Sequence, residues 1–374
     1  MKIEFFRHNL EDREIQNVTR VLRSTFLTTG PVTAQFEEKF SRCVGLRHIV
    51  AVNSCTAALH LSLMALGVGP GDEVITTPMT FIATATSILH TGAKPVFVDV
   101  ENNTGLMDIS KVEDAITSRT RAVVPVHLYG SMVDTKGLRD IADTHGLHIV
   151  EDCAHCIEGE RDGIRPGQLS DAACYSFYAT KNLTSGEGGA IATNNVELAD
   201  RVRVLRLHGM SKDAASRYSG YYQHWDMISL GWKYNMDDIH ASLLIGQLEN
   251  LNEYWRKRNA VWEMYSKGFH GISGMRIPET PGKSGRHLYT IWVDPRRRDE
   301  ILYAIQDEGI GVAVNYRAIH TLTYFRKTFG FKPEDFPVAN RIGESTISLP
   351  LYPKLLDSEI EYVVKSLRGI VVQY

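Results

Sequence analysis

The sequence lacks the features that mark membrane, secreted and strongly charged proteins. Its longest apolar stretches, such as the one around His48–Val52, fall far short of the roughly 20 residues that a membrane-spanning helix needs. The apolar segment near Met1 is too short for a signal peptide. A formal net charge of -3 gives no bulk electrostatic reason to bind nucleic acid or an anionic membrane. We therefore expect a cytoplasmic protein that binds neither.

Cysteine is also scarce, with five residues in a chain of 374. An odd number spread over a long chain fits free thiols in a reducing compartment better than a disulfide framework. Cys153 and Cys156 form a C-x-x-C pair, but a structural zinc site needs a second close pair of ligands, and a lone C-x-x-C is a weak signal. We expect two small packing residues and no metal, with metal or redox use as the disfavoured alternative.

Short apolar runs, alternating with amphipathic stretches, fill the region from about residue 47 to residue 193. They read as buried strands because they are short, continuous and bounded by turn residues. Most are followed by helical patterns, which predicts an α/β domain with a largely parallel sheet. The predicted strands are His48–Val52, Glu73–Thr77, Pro95–Asp99, Ala122–Val126, His148–Glu151 and Ala173–Phe177.

The pattern changes after Met236. A long amphipathic helix is predicted first, because Ile239, Leu243, Leu244, Leu248 and Leu251 recur at helical spacing. A smaller α+β lobe should follow, with strands near His287–Val293 and Gly311–Asn315 and helices near Asp299–Glu308 and Asp357–Leu367. We expect a large domain over 1–245, including an N-terminal arm of about 30 residues, and a small domain over 246–374. The cleft between two lobes is a common ligand site.

The predicted strand that begins at His148 ends in an acidic pair, and a histidine follows. The carboxyl ends of parallel strands are where ligands sit, and Asp152 lies at such an end. A partly desolvated carboxylate favours a neighbouring cation such as a protonated pyridine nitrogen. Taken alone, Asp152 fits the capping of a following helix equally well. His155 lies three residues further on.

Lys181 follows the strand end that carries Ser176 and precedes a glycine-rich loop, Gly186–Gly189. Desolvation and a nearby cofactor would favour the neutral, nucleophilic form of such a lysine. Most lysines are simply solvated. The functional interpretation therefore depends on the combination with Asp152, Ser176 and the glycines.

Two further segments suggest a place for a cofactor. Ser54, Cys55 and Thr56 lie between a predicted strand and a helix, where backbone N–H groups and hydroxyls bind phosphate, although N-capping explains Ser54 and Thr56 as well. Phe81 follows the end of another strand, where its ring can stack on a planar cofactor. Core packing is the favoured explanation of Phe81 when it is considered alone.

These motifs resemble the DegT/StrS-type (DegT/DnrJ/EryC/StrS) sugar aminotransferases, a branch of the fold-type I pyridoxal 5'-phosphate enzymes. The resemblance covers nearly the whole chain, from Leu27–Pro31 to Ser348–Tyr352. It is greatest to the branch that makes 4-amino sugars, which includes the UDP-4-amino-4-deoxy-L-arabinose aminotransferase. The matching segments are Ser176–Phe177, Lys181–Asn182, Glu187–Gly189, His208–Gly209, Lys233–Asn235 and Arg317–Thr321.

The resemblance implies an aspartate aminotransferase-like fold, with a mostly parallel seven-stranded sheet in the large domain and a smaller C-terminal α+β domain. It also implies roles for the motif residues. Lys181 would form the Schiff base with pyridoxal phosphate, Asp152 would pair with the pyridine nitrogen, and His155 would lie near the ring and its phenolic oxygen. Phe81 would stack on the ring. The phosphate would be surrounded by Ser54, Cys55, Thr56 and Ser176.

The resemblance further implies a homodimer with shared active sites, in which the segment Gly231–Met236 reaches the cofactor of the other subunit. This chain has Lys233 and Asn235 where many relatives have asparagine and arginine, so either side chain is a candidate for the phosphate contact. Cys55 replaces the usual glycine or alanine. Its side chain is small enough for the backbone still to approach an oxyanion.

The expected reaction moves an amino group from glutamate to a keto group, most simply at C4, of a UDP- or dTDP-linked sugar, with pyridoxamine 5'-phosphate as the aminated form of the cofactor. Its product would serve cell-surface polysaccharide, lipid A or natural-product biosynthesis. Tyr316, Arg317 and His320 are candidate substrate contacts. One alternative is amination at C3, and another is a non-catalytic, cofactor-binding regulatory protein. A related sugar dehydratase is disfavoured, because that branch has histidine in place of Lys181.

Overall fold

A seven-stranded sheet forms the centre of the larger lobe. The computed structural model describes residues 1–211 and 224–373, and within them the strands have the order β1-β7-β6-β5-β4-β2-β3. The run from β3 to β6 is parallel, whereas β7 is antiparallel to both of its neighbours. The expected mostly parallel sheet is confirmed. The strands are β1 His48–Val52, β2 Glu73–Thr76, β3 Lys94–Phe97, β4 Thr120–Val124, β5 His148–Asp152, β6 Ala172–Ser176 and β7 Gly189–Thr193.

Burial on both faces explains why the strands were visible in the sequence. Every residue of β6 and β7 is buried, and each of the six predicted apolar runs overlaps a strand. Helices cover the sheet, as an α/β layered fold requires. The described helices are Asp12–Leu22, Pro31–Val44, Cys55–Ala65, Ile82–His90, Thr135–His145, Val196–Leu205, Asp238–Glu249, Leu251–Phe269, Arg298–Asp307, Thr323–Phe329, Pro337–Ser345 and Asp357–Gln373.

The smaller lobe contains an antiparallel sheet of the order β10-β9-β8, with β8 at Met275–Arg276, β9 at Tyr289–Val293 and β10 at Thr346–Leu349. The helices predicted near Asp299 and Asp357 are confirmed. The strand predicted over Gly311–Asn315 is wrong.

Backbone pairing explains why no strand forms at Gly311–Asn315. Ala313 forms only an isolated bridge with Ser348, and the N–H of Gly311 donates instead to the carbonyl of Ile3 at 2.8 Å. The segment divides its hydrogen bonds between two partners, so no continuous ladder can form.

The single long helix predicted after Met236 is also wrong, because the chain forms two helices that meet at Asn250. Asn250 caps the end of Asp238–Glu249 and precedes Leu251–Phe269. The first of these helices packs on Pro31–Val44, and the second packs on the C-terminal helix Asp357–Gln373. The chain therefore passes from the larger to the smaller lobe near Asn250.

The N-terminal arm contacts both lobes. Ile3 is buried in the core of the smaller lobe with Tyr289 and Ile347, and its N–H donates to the carbonyl of Gly309 at 2.9 Å. The helix Asp12–Leu22 packs instead on Asp238–Glu249. The proposed bounds of the two domains, 1–245 and 246–374, remain a prediction.

Asp238 fixes the start of the helix Pro31–Val44. Its buried carboxylate accepts hydrogen bonds from the N–H groups of Gly30 at 2.9 Å, Val32 at 3.2 Å and Thr33 at 2.8 Å, and from the Thr33 hydroxyl at 2.6 Å. These N–H groups lie at a helix N-terminus, where no intrahelical acceptor exists and where a negative charge is favourable. One side chain thus joins two helices of the larger lobe.

We expect Asp238→Ala to lower the free energy of unfolding by about 3 kcal/mol, because buried N–H groups would lose a charged acceptor. Urea unfolding monitored by circular dichroism measures the change. Asp299→Asn is the matched control, since Asp299 is an exposed helix-start carboxylate paired with Arg298, and it should leave the midpoint almost unchanged. Equal midpoints for the two variants would contradict the role given to Asp238.

Candidate active site

A cavity of about 490 Å³ opens at the edge of the sheet where the parallel strands β2, β4, β5 and β6 end. Its size is that of a pocket for a small organic molecule. Nine of the candidate cofactor and substrate residues line it, and they come from the ends of β1, β2, β5 and β6 and from the smaller lobe. These residues are Ser54, Cys55, Thr56, Phe81, Asp152, His155, Ser176, Lys181 and Tyr316.

Lys181 lies in the loop between β6 and β7, and its backbone N–H donates to the carbonyl of Tyr178 at 2.9 Å. Burial lowers the pKa of its amine from an ordinary 10.5 to about 8, and the negative charge of Asp152 opposes this shift only in part. Desolvation dominates because it penalises the charged ammonium form. The amine is therefore substantially neutral, and nucleophilic, at mildly alkaline pH.

Asp152 is the last residue of β5, and only 5% of its surface is exposed. Its Oδ2 accepts a hydrogen bond from the Thr84 hydroxyl at 2.8 Å, and its Oδ1 accepts the N–H of Ala154 at 3.1 Å. Burial raises the pKa of this carboxyl, while these two hydrogen bonds act in the opposite direction. A buried carboxylate in this state is stabilised by a cation in the cavity, such as a protonated ring nitrogen.

His155 is held as a neutral imidazole of one tautomer. Its Nδ1 accepts the backbone N–H of Tyr129 at 3.2 Å, so the ring proton lies on Nε2, which donates to the hydroxyl of Tyr316 at 3.0 Å. Burial, followed by the charge of Lys181, holds the pKa of His155 well below its ordinary value. Burial also raises the pKa of Tyr316, which therefore keeps its proton. Because the oxygen of the Tyr316 hydroxyl accepts from His155, the hydroxyl can direct its own proton towards the cavity.

The turn after β1 forms the start of the helix Cys55–Ala65. Ser54 is its N-cap and accepts the N–H of Ala57 at 3.1 Å. The N–H groups of Cys55 and Thr56, at the very start of the helix, have no intrahelical acceptor and form a ready site for an anion. A side chain at Gly189 would place Cβ 2.4 Å from the carbonyl carbon of Ser54. Glycine therefore allows β7 to pass directly beside this anion site.

Ser176 and Phe81 lie on the cavity wall. Ser176 ends β6, and its hydroxyl accepts the N–H of Tyr178 at 3.4 Å. The side chain of Phe81 is not packed in the core, since 53% of the residue is exposed, and its ring centre lies 5.7 Å from that of Tyr316. Two aromatic rings thus line the cavity, where they can contact a planar group.

Comparison with known proteins gives a consistent result. Residues 8–368 match the model of the DegT/DnrJ/EryC1/StrS aminotransferase family. The chain is 45% identical over 366 residues to the spore coat polysaccharide biosynthesis protein SpsC of Bacillus subtilis (strain 168), a match that covers 96% of this chain and 94% of that protein. The chain belongs to the DegT/DnrJ/EryC1/StrS aminotransferase family.

Solved structures agree with this assignment. The putative sugar aminotransferase Spr1654 from Streptococcus pneumoniae, in its PMP form, is 33% identical with a TM-score of 0.92, and the match covers 98% of each chain. DesV of S. venezuelae, solved in complex with a ketimine intermediate, is 34% identical with a TM-score of 0.92, and the match covers 99% of this chain and 98% of that one. The fold-type I architecture expected from the sequence is confirmed.

Membership of the DegT family makes the protein a pyridoxal phosphate-dependent sugar aminotransferase, so the expected enzyme class and cofactor are confirmed. The side chains of the cavity fit this cofactor. Asp152 is a buried acid suited to a ring nitrogen, Lys181 is a desolvated amine suited to an aldehyde, and the N-terminus at Ser54 is suited to a phosphate.

The other residues that the resemblance implied as phosphate or substrate contacts do not line the cavity. Lys233 is exposed, and its amine donates to Oδ1 of Asn235, whose amide donates to the Thr29 hydroxyl at 2.6 Å. Arg317 is exposed. His320 is fully buried, and its ring centre is 5.0 Å from that of Phe336. The structure therefore brings Tyr316 alone of the three substrate candidates to the cavity wall.

The cysteines of the C-x-x-C pair are both buried in the DegT-family fold. Cys153 lies beside His127 and Glu151, and its thiol is 3.7 Å from a carboxylate oxygen of Glu151. The thiol of Cys156 donates to the carbonyl of Gly130 at 3.2 Å. Burial raises the pKa of both thiols, which keeps them protonated and unreactive.

Three contributors to the site were missed in the sequence. Thr84 orients Asp152, the backbone of Tyr129 orients His155, and the ring of His287 lies 4.4 Å from that of His155. Thr84 gave a weak signal, because it lies one helical turn after Phe81, in the helix Ile82–His90. Tyr129 and His287 gave none, since their contacts join segments that are far apart in sequence.

The described part of the chain contains no helix with the length and apolar character needed to span a membrane.

The lowered pKa of Lys181 predicts how the apoenzyme captures its cofactor. The second-order rate of pyridoxal phosphate binding, followed by absorbance, should rise with pH around a midpoint near 8, because the neutral amine is the reactive form. Lys181→Ala should bind the cofactor without forming a covalent link that borohydride can fix. A rate that keeps rising towards the ordinary value of 10.5 would show that the amine is solvated.

Proposed function

We propose that the protein transfers the amino group of glutamate to the C4 keto group of a UDP- or dTDP-linked sugar, and that its product enters cell-surface polysaccharide synthesis. The observation that carries the proposal is the cavity that is lined both by Lys181, whose amine has a lowered pKa, and by the buried Asp152. The likeness to the spore coat polysaccharide biosynthesis protein SpsC supports the pathway. The sequence matches to the 4-amino-sugar branch support C4.

Bound pyridoxal phosphate supplies an electron-accepting ring that stabilises the charge left when a proton leaves the Cα of glutamate. Lys181, as a neutral amine, would remove that proton from Cα and return it to the C4' carbon of the cofactor. In the second half of the reaction, Lys181 would take a proton from C4' and deliver it to C4 of the sugar. Asp152 keeps the ring nitrogen protonated throughout by providing a buried counter-charge.

The polar residues around the cavity are proposed to bind and orient the reactants. Ser54, Thr56 and Ser176 would hold the phosphate, because they meet at the helix N-terminus beside Gly189. His155 is proposed to lie near the phenolic oxygen of the ring. Tyr316 would donate to an oxygen in the cavity, since its own oxygen already accepts from His155.

The active enzyme is proposed to be a homodimer, in which Lys233 or Asn235 reaches the phosphate held by the partner. Exposed apolar side chains that precede the segment Gly231–Met236 support an interface between subunits. They are Trp225, Met227, Ile228 and Leu230, and 74% of the surface of Leu230 is exposed. The backbone of Gly231–Met236 lies beside the turn after β1 of its own chain, because the N–H of Asn53 donates to the carbonyl of Tyr234 at 2.8 Å.

The cytoplasm is the proposed location. The five cysteines are free thiols, and four of them are buried, which fits a reducing compartment.

We expect Asp152→Asn to reduce the turnover number at least a hundredfold, because a neutral amide cannot hold the ring nitrogen in its protonated state. Cofactor capture by Lys181 should survive, and its pH midpoint should fall, since the negative charge that raises the pKa of Lys181 is removed. Stopped-flow absorbance with glutamate measures the first half of the reaction. Turnover close to that of the wild type would contradict the role of Asp152.

A panel of substrates tests the choice of sugar. The holoenzyme is mixed with glutamate and with UDP- and dTDP-linked 4-keto and 3-keto sugars, and the products are identified by mass spectrometry and NMR. We expect a new amine at C4 and loss of all turnover in Lys181→Ala. Faster turnover of the 3-keto sugars would favour the C3 alternative.

A further inference from the structure

A row of buried side chains connects the helix Leu251–Phe269 to the loop that carries Lys181. Arg258 of the helix Leu251–Phe269 donates to Oε1 of Glu158 at 2.5 Å. The other carboxylate oxygen of Glu158 accepts from the amide of Asn182 at 3.1 Å, and His287 contacts Oδ1 of the same amide at 3.1 Å. Each of these four residues has less than a tenth of its surface exposed.

The chemistry of the partners fixes the orientation of every group in this row. Nδ2 of Asn182 faces the carboxylate of Glu158 and the carbonyl of Gly285, which lies 2.8 Å away, and both of these can only accept. Oδ1 of Asn182 therefore faces His287 and accepts, so the proton of the His287 ring lies on Nδ1. Burial, with the charges of Lys181 and Arg258, holds the pKa of His287 well below its ordinary value, so the ring is neutral.

His287 connects this row to the catalytic imidazole. Its ring centre lies 4.4 Å from that of His155, with an angle of 40° between the planes. A neutral ring in this position supports His155 by packing and adds no competing positive charge. Asn182 thus contacts, through a single hydrogen bond, the ring on which His155 packs, and it is also the residue that follows Lys181.

A separate contact holds the same loop further on. Gln247, which is buried, donates to the carbonyl of Thr184 at 2.7 Å and accepts its N–H at 3.1 Å. Gln247 therefore anchors the backbone of the loop through Thr184 alone. It provides a natural comparison with Asn182, which holds the loop and His287 together.

We propose that Asn182 is a positioning residue that joins the Lys181 loop to His287, and through His287 sets the place of His155, with Glu158 and Arg258 holding its other side. The inference rests on the proposed roles of Lys181 and His155 in amino transfer. Loss of the Asn182–His287 hydrogen bond removes the link between the loop and the ring that packs on His155, so that the hydrogen bonds to Tyr129 and Tyr316 must hold His155 without this support. Water then reaches the amine of Lys181, and the proton-transfer geometry is lost.

Three variants test the proposal: Asn182→Ala, His287→Phe and Gln247→Ala. Phenylalanine at position 287 keeps a ring against His155 but cannot donate to Asn182. We expect the first two variants to raise the pH midpoint of cofactor capture by about one unit, towards that of a solvated lysine. They should also lower the turnover number in the glutamate half-reaction roughly tenfold to hundredfold, with little change in KM. Gln247→Ala should keep the wild-type midpoint.

Two results would overturn the proposal: a wild-type midpoint in His287→Phe, or equal shifts in all three variants, which would assign the effect to general loosening of the loop. If Asn182→Ala does not fold, His287→Phe decides alone. Borohydride labelling of the wild type separates this inference from the proposed function. Absence of a label on Lys181 contradicts the proposed function, whereas a labelled wild type with unshifted variants contradicts only the role of Asn182.

Discussion

Removal of water from the amine of Lys181 is the constraint on which the active site depends. An ordinary lysine is protonated at neutral pH and carries no lone pair, whereas burial lowers the pKa of this one to about 8 even against the opposing charge of Asp152. The negative charge of the neighbouring Asp152 raises the pKa of Lys181 and so opposes that shift, while burial raises the pKa of Asp152 itself. A carboxylate buried beside a neutral amine therefore needs other stabilising partners. Thr84 and the N–H of Ala154 are these partners and stabilise the carboxylate directly. The amine can then lose its proton at mildly alkaline pH although it lies near an acid.

The same balance explains the polar interior around the cavity. The imidazoles of His155 and His287 are kept neutral by burial near the amine, and each is fixed in one tautomer by a partner of known polarity. A charged ring at either position would repel an ammonium group and favour loss of its proton, whereas a neutral ring leaves the balance between Lys181 and Asp152 unchanged. Hydrogen bonds thus determine the orientation of the two imidazole rings, and desolvation keeps the rings uncharged.

The sequence predicted the features that depend on local pattern. β1 was placed at its observed bounds, because a buried strand between turn residues is a continuous apolar run. Asp152 and Lys181 were found because the first lies at a strand end and the second follows one, each in a recognisable motif. The strand expected at Gly311–Asn315 was wrong, since alternation of residues cannot reveal that Ile3 takes one of its hydrogen bonds. His287 escaped notice for a similar reason, as its contact with Asn182 spans about a hundred residues.

The antiparallel strand β7 limits how the loop that carries Lys181 can change in length among enzymes with this fold. Ser176 and Gly189 are directly paired in the ladder, so the loop that carries Lys181 starts and finishes at neighbouring points of a rigid sheet. An inserted or deleted residue between Ser176 and Lys181 would shift the amine relative to the sheet, because the ladder fixes the point from which the loop starts. The rim of the cavity, supplied in part by Tyr316 of the smaller lobe, is under no such restriction. New sugar preferences can therefore evolve by changes at the rim while the length of the lysine loop stays constant.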